Sequence, residues 1–143
     1  MEFDFFDILT HARKLYAQTM EDVCAEHALT RNELDILLFL ANNPQYDRAA
    51  DIVAHRGIVK SHVSLSVTAL ETKGFLVRRE DGEDRRTVHL KLTELAQPAV
   101  ESGRARQQAF FQGIHGSLTP EELAQYRSIT KKIYQNIQTL KKL

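Results

Sequence analysis

Apolar residues recur mostly three and four positions apart along this chain, the spacing of a helix face, and one stretch alternates with the two-residue period of a strand. Phe6, Leu9, Leu15 and Val23 predict a first helix over about Phe3 to Glu26. Thr30-Arg-Asn-Glu33 reads as a capping box, in which the Thr and Glu side chains accept from free N–H groups of a first helical turn. Leu34, Leu37, Leu38 and Ala41 continue as the apolar stripe of a second helix, which Asn42-Asn43-Pro44 stops. A short third helix spans about Arg48 to His55, Gly57 permits a sharp turn, and a fourth helix runs from about Lys60 to Lys73 before Gly74. Val88, Leu90 and Leu92 then alternate with Thr87, His89 and Lys91, the pattern of a half-buried strand. Phe75 to Arg79 supplies its partner across a turn-rich tip, Glu80 to Asp84. A fifth helix runs from about Glu94 to Ile114, with Pro98 tolerated near its first turn. The capping box Thr119-Pro-Glu-Glu122 opens the last helix, which carries Leu123, Tyr126, Ile129, Ile133, Ile137 and Leu140 on one face.

The fourth helix has two unlike faces. Val63, Val67 and Leu70 line one of them, and Ser61, Ser64, Leu65 and Thr68 line the other, with Lys60 and His62 near its N-terminal end. An exposed helix face usually carries Lys and Glu; hydroxyls beside one apolar residue, with no acid, suit contact with base edges, phosphates and a thymine methyl. The hairpin adds Arg78, Arg79 and Lys91 on its strands and Arg85 and Arg86 at its tip. A narrow protruding hairpin places a guanidinium in a minor groove, and Asp84 stands two residues before Arg86, where it is expected to hold that arginine in register by a charge-assisted hydrogen bond. Short helix, glycine turn, amphipathic helix, strand, basic tip and strand follow in the order of a winged helix-turn-helix.

Lys60-Ser-His-Val-Ser64, Leu70-Glu-Thr-Lys-Gly74, Asp84-Arg-Arg86 and Leu90-Lys-Leu-Thr93 resemble, in order and spacing, the motifs of the MarR family of transcription regulators. Leu65 stands where many relatives carry a basic residue, and Val59 where a small polar residue often caps the helix. The resemblance spans nearly the whole chain. It implies a mainly α fold with a small β-hairpin wing, residues 30–93 forming the DNA-binding part and residues 1–29 and 94–143 the dimerisation helices. It implies a homodimeric repressor of a pseudo-palindromic operator in double-stranded DNA, relieved by a small-molecule effector, with a cytoplasmic location. The DNA-contacting residues expected on this basis are Lys60, Ser61, His62, Ser64, Leu65, Thr68, Arg78, Arg85 and Arg86, with Asp84 as wing support. His11, Tyr16, Phe110 and Phe111 are the expected lining of an effector pocket. The two terminal helices also carry broad apolar stripes, which pairing across a two-fold axis would bury.

Charge sharpens this picture. The chain of 143 residues has no net charge, but residues 1–50 carry −5, residues 51–93 +2 and residues 94–143 +3. The positive excess therefore falls on the middle and the end of the chain, and nucleic-acid binding needs a local basic footprint rather than a basic whole. The alternative, a winged-helix protein-interaction module without specific DNA binding, draws support from the neutral total and from Leu65. No apolar run approaches the length of a membrane span, and MEFDFFDIL is not the basic-then-apolar start of a secretory signal. The single cysteine, Cys24, has acidic neighbours Glu21, Asp22 and Glu26, which disfavour a reactive thiolate. Cys24 and His27 share a helix face, but zinc wants three or four ligands, and only Glu21, His11 or His115 offer themselves; no metal or other cofactor is expected. No nucleophile paired with a base, phosphate-cradling glycine loop or carboxylate pair points to an enzyme.

Overall fold

A reciprocal cap starts the first helix. In a computed structural model, which describes residues 4–142, the Asp4 carboxylate accepts from the Asp7 amide at 2.9 Å and Asp7 accepts from the Asp4 amide at 3.3 Å. Helix α1 then spans Phe5–His27. The expected start at Phe3 lies outside the described residues. The helix runs past the expected end at Glu26 because Ala28 closes it in the left-handed region (φ 53°), and the Leu29 amide returns to the Cys24 carbonyl at 2.9 Å. That conformation costs a non-glycine residue roughly 1–2 kcal/mol, so its surroundings hold it.

Helix α2 (Arg31–Asn42) begins on the Thr30–Glu33 capping box, both halves of which form. Leu34, Ile36, Leu37, Leu38, Phe39 and Leu40 are all buried, so α2 is the central helix of the core rather than a one-faced surface helix. Helix α3 (Ala49–Arg56) ends on Gly57, which adopts φ 65°, and α4 (Lys60–Thr72) follows. Strands β1 (Leu76–Glu80) and β2 (Val88–Leu92) form a two-stranded antiparallel hairpin, with Leu76 opposite Leu92 and Glu80 opposite Val88. The buried Leu76 and Leu90 anchor this wing in the core beside Val63, Val67 and Leu70 of α4.

The fifth helix does not begin at Glu94 as its pattern predicts. A 3₁₀ turn occupies Glu94–Ala96, and α5 runs Gln97–Ile114. Pro98 has no N–H to return to the Glu94 carbonyl, so the entry tightens into i→i+3 bonding. Further along α5, Gly103 permits a close approach to α2: a Cβ there would lie 2.7 Å from a Leu38 methyl.

The chain divides into two compact units, one through Gln107 and one from Gln108 onward. The first holds the winged helix. In the second, helix α6 (Pro120–Lys141) starts on the Thr119–Glu122 capping box with Pro120 at its first position. Phe110, Phe111, His115 and Tyr126 form a chain of ring contacts there, with centroids 5.2–6.0 Å apart. No α6 residue is buried, and Tyr126, Ile129, Ile133, Tyr134, Ile137 and Leu140 are exposed. Among the described residues, no helix is long and apolar enough to cross a membrane.

Candidate nucleic-acid interface

Helix α4 owes its position to its apolar face. Val63, Val67 and Leu70 are buried, which turns Ser61, His62, Ser64, Leu65 and Thr68 outward, all exposed, with Lys60 at the N-terminal end. Val59 occupies the N-cap without a side-chain hydrogen bond, so the first-turn N–H groups lack the oxygen that a Ser or Asp would supply.

The other end of α4 is fixed by a charge. Lys73 Nζ donates to Glu33 Oε1 at 2.6 Å and to the Ala28 carbonyl at 2.7 Å. Glu33 is only 3% exposed, and the same Oε1 accepts from the Thr30 amide. One lysine thus ties the end of α4 to the α1–α2 junction, including the strained Ala28. Nothing in local sequence signals this contact, because Lys73 and Glu33 stand forty residues apart.

The wing places its cations unequally. Arg85 and Arg86 are exposed at the tip. Arg78 lies back against α4: its guanidinium donates to Thr68 Oγ1 at 3.0 Å and stands 3.7 Å from the Glu71 carboxylate. The Asp84 carboxylate meets Arg86 at its main chain and not at its guanidinium. Asp84 accepts instead from the Arg86 backbone amide at 2.9 Å and from the Thr87 hydroxyl at 3.1 Å, because a carboxylate two residues upstream reaches the main chain in an Asx turn more readily than a long side chain. Asp84 therefore shapes the tip rather than aiming the guanidinium.

A second tie joins the wing to the α2–α3 loop. His89 Nδ1 lies 2.8 Å from Asp47 and Nε2 lies 3.6 Å from Asp81, while the Leu90 amide donates to the Asp47 carbonyl at 2.7 Å. The Asp47 carboxylate, then Asp81, holds the His89 pKa above the ordinary histidine value of 6.5. A pKa raised on folding adds stability in full below the unfolded value and loses it as pH rises through the folded one. The thermal midpoint of His89→Gln is therefore expected to lie below that of the wild type near pH 6 and to converge on it by about pH 9. A gap that stays constant with pH would show that the ring acts by packing alone.

A cleft of about 400 Å³ lies between α3, α4 and the wing, floored by Ala49, Val53, Val63 and Leu90, with Lys60 and Arg78 also on its lining. It is not at the residues expected to form an effector pocket. Of those, His11 and Tyr16 belong to the first unit and Phe110 and Phe111 to the second. Exposed His11 contacts the Asp7 carbonyl at 2.8 Å. Half-buried Tyr16 accepts from Gln107 at 2.9 Å and lies under the Arg31 guanidinium, 4.8 Å from ring centroid to Cζ. Burial pushes the Cys24 thiol above its ordinary value, opposite to what a redox-sensing thiolate needs. Among the described residues, no group of three His, Cys, Asp or Glu side chains is placed to hold a metal ion.

The family model described as MarR family matches residues 28–87. The HTH-type transcriptional regulator YwhA of Bacillus subtilis strain 168, itself uncharacterised, is 31% identical over 85 residues, which cover 59% of this chain and 61% of that protein. The HTH-type transcriptional repressor MdtR of the same organism is 26% identical over 127 residues, 89% of this chain and 81% of that one. Among solved structures, MarR matches with a TM-score of 0.77 at 14% identity, covering 98% of this chain and 95% of its own. CouR from Rhodococcus jostii RHA1, solved with p-coumaroyl-CoA bound, matches at 0.73 and 20% identity over 91% of each chain. A mutant MepR of S. aureus bound to an oligodeoxyribonucleotide matches at 0.59 and 20% identity, over 95% of this chain and 99% of that one. At these identities the structural matches establish the fold, a mainly helical winged helix-turn-helix.

Proposed function

We propose, for a chain that belongs to the MarR family through the winged helix-turn-helix of residues 28–87, that it is a homodimeric DNA-binding repressor whose operator affinity is lowered by a small-molecule effector. The observation that carries the DNA-binding part is the joint display of an acid-free outward face on α4, Lys60 to Thr68, and the exposed guanidinium groups of Arg85 and Arg86 on the wing. The helix face suits a major groove and the tip the adjoining minor groove. The uncapped first turn of α4, beside Lys60 and Ser61, suits a backbone phosphate. A cytoplasmic place of action follows from this substrate.

The exposed apolar row on α6, together with Phe5, Phe6, Ile8 and Leu9 on α1, supports a second copy as the partner that covers them. Two reading heads related by a two-fold axis then meet half-sites about one helical turn apart. The name of MdtR supports repression, and the ligand in the CouR title supports an effector. Any effector acts only by preferring one spacing of the two heads over the other.

Arg86→Ala tests the assignment. Affinity for specific duplex DNA is expected to fall by about 1–3 kcal/mol, the worth of a good groove contact, with the fold unchanged. Unchanged affinity would remove the wing from the interface and favour a module that binds a protein instead.

A further inference from the structure

Leu65 is 71% exposed in the middle of a helix whose opposite side is fully buried. Its companions on the outward face are Ser61, Ser64 and Thr68, none long enough for the paired hydrogen bonds by which Arg, Asn or Gln read guanine or adenine. The polar groups beyond it are turned back onto the protein. The Thr68 hydroxyl accepts from Arg78, the Arg78 guanidinium also faces Glu71, and the Thr72 hydroxyl donates to the Thr68 carbonyl at 3.0 Å. The longer donors of α4, Lys60 and His62, stand near its N-terminal end, on the turn before Leu65. Leu65 is therefore the one apolar group in the middle of the reading face, flanked by the short hydroxyls of Ser61 and Ser64.

Resting on the DNA-binding reading above, we propose that Leu65 is a specificity-determining residue that recognises the 5-methyl group of a thymine in each half-site. That methyl is the one apolar group on a base edge in the major groove. A leucine laid against any other edge would strip water from a donor or acceptor and give nothing in return, so the same residue disfavours guanine and cytosine at that position. Thymine is recognised by its methyl, and the wrong bases are rejected by desolvation.

The test uses a duplex that the protein itself selects from a random pool. Each thymine is replaced singly by deoxyuridine, which keeps the base pair and removes only the methyl. For the wild type, one or two positions per half-site are expected to lose about fourfold in affinity, the worth of one buried methyl-sized group. Uracil at the equivalent positions of both half-sites is expected to lose about fifteenfold. In Leu65→Ala, which touches no core residue, the uracil penalty at those positions is expected to vanish while penalties elsewhere persist. Specific binding that is indifferent to uracil, or a penalty that survives in Leu65→Ala, overturns this inference and leaves the regulator reading standing. Failure to select any duplex overturns the DNA-binding reading, and this inference with it.

Discussion

Thr68→Glu is expected to abolish specific DNA binding, lowering affinity by more than about 100-fold, while leaving the folded protein intact. Thr68 is exposed on the outward face of α4, where its hydroxyl accepts from Arg78. In the proposed complex a carboxylate at that place faces the phosphate-lined groove, and a like charge at close range costs several kcal/mol. It also draws Arg78 more tightly onto the helix, so the groove gains an anion and loses use of a cation. Glutamate is at least as good a helix former as threonine, so helicity and cooperative unfolding are expected to be unchanged. The informative comparison is binding of both proteins to one duplex beside their circular dichroism. A folded variant that still binds its duplex with near wild-type affinity would place the DNA on another face.

Lys73→Met is expected to destabilise the fold by about 2–3 kcal/mol, less than the full penalty for orphaning a buried charge because Lys73 is itself about a third exposed and water softens the loss. The substitution keeps an unbranched four-atom stem and removes the ammonium. Glu33 then stands buried with only the Thr30 amide from its cap, and the Ala28 carbonyl, in a residue of left-handed conformation, loses its partner. Urea unfolding at fixed protein concentration, with the slope unchanged, reads the effect directly. Adding Glu33→Gln to the lysine variant is expected to restore part of the loss, since the pair is coupled. A loss below about 0.5 kcal/mol would mean that the pair behaves as an ordinary surface contact. Because Lys73 fixes the end of α4, the same variant is expected to bind DNA more weakly even where it remains folded.

The elements that local chemistry specifies were legible in the sequence. Thr30 with Glu33, and Thr119 with Glu122, announce helix starts by side chains that must lie three residues apart, and both boxes form. The alternation of Val88, Leu90 and Leu92 announces a strand because only one face of the wing meets the core. What stayed hidden depends on distant or main-chain partners. Helix α1 extends one residue past the expected Glu26, to His27, because Ala28 takes a left-handed turn with neither glycine nor asparagine to mark it. Lys73 with Glu33, and His89 with Asp47, are each separated by about forty residues and meet only once the core has formed. His89 reads in sequence as one more wing residue, yet it ties the wing to the α2–α3 loop. Asp84 was legible as wing support, but the atom it holds was not, since an Asx turn and a side-chain pair draw on the same residues. The apolar row of α6 was legible as well, since its residues recur at helical spacing and are exposed in the structure.

In the proposed function α4 and the wing read duplex DNA. The measurement that tests it most directly is a fluorescence anisotropy titration of the protein with the DNA upstream of its own coding sequence, beside a scrambled duplex, at about 50 and about 200 mM salt. The expected result is saturable binding that prefers the native duplex and weakens steeply as salt rises, because phosphate contacts release counterions. Equal affinity for both duplexes, or no binding at either salt concentration by a protein shown to be folded and dimeric, would contradict it.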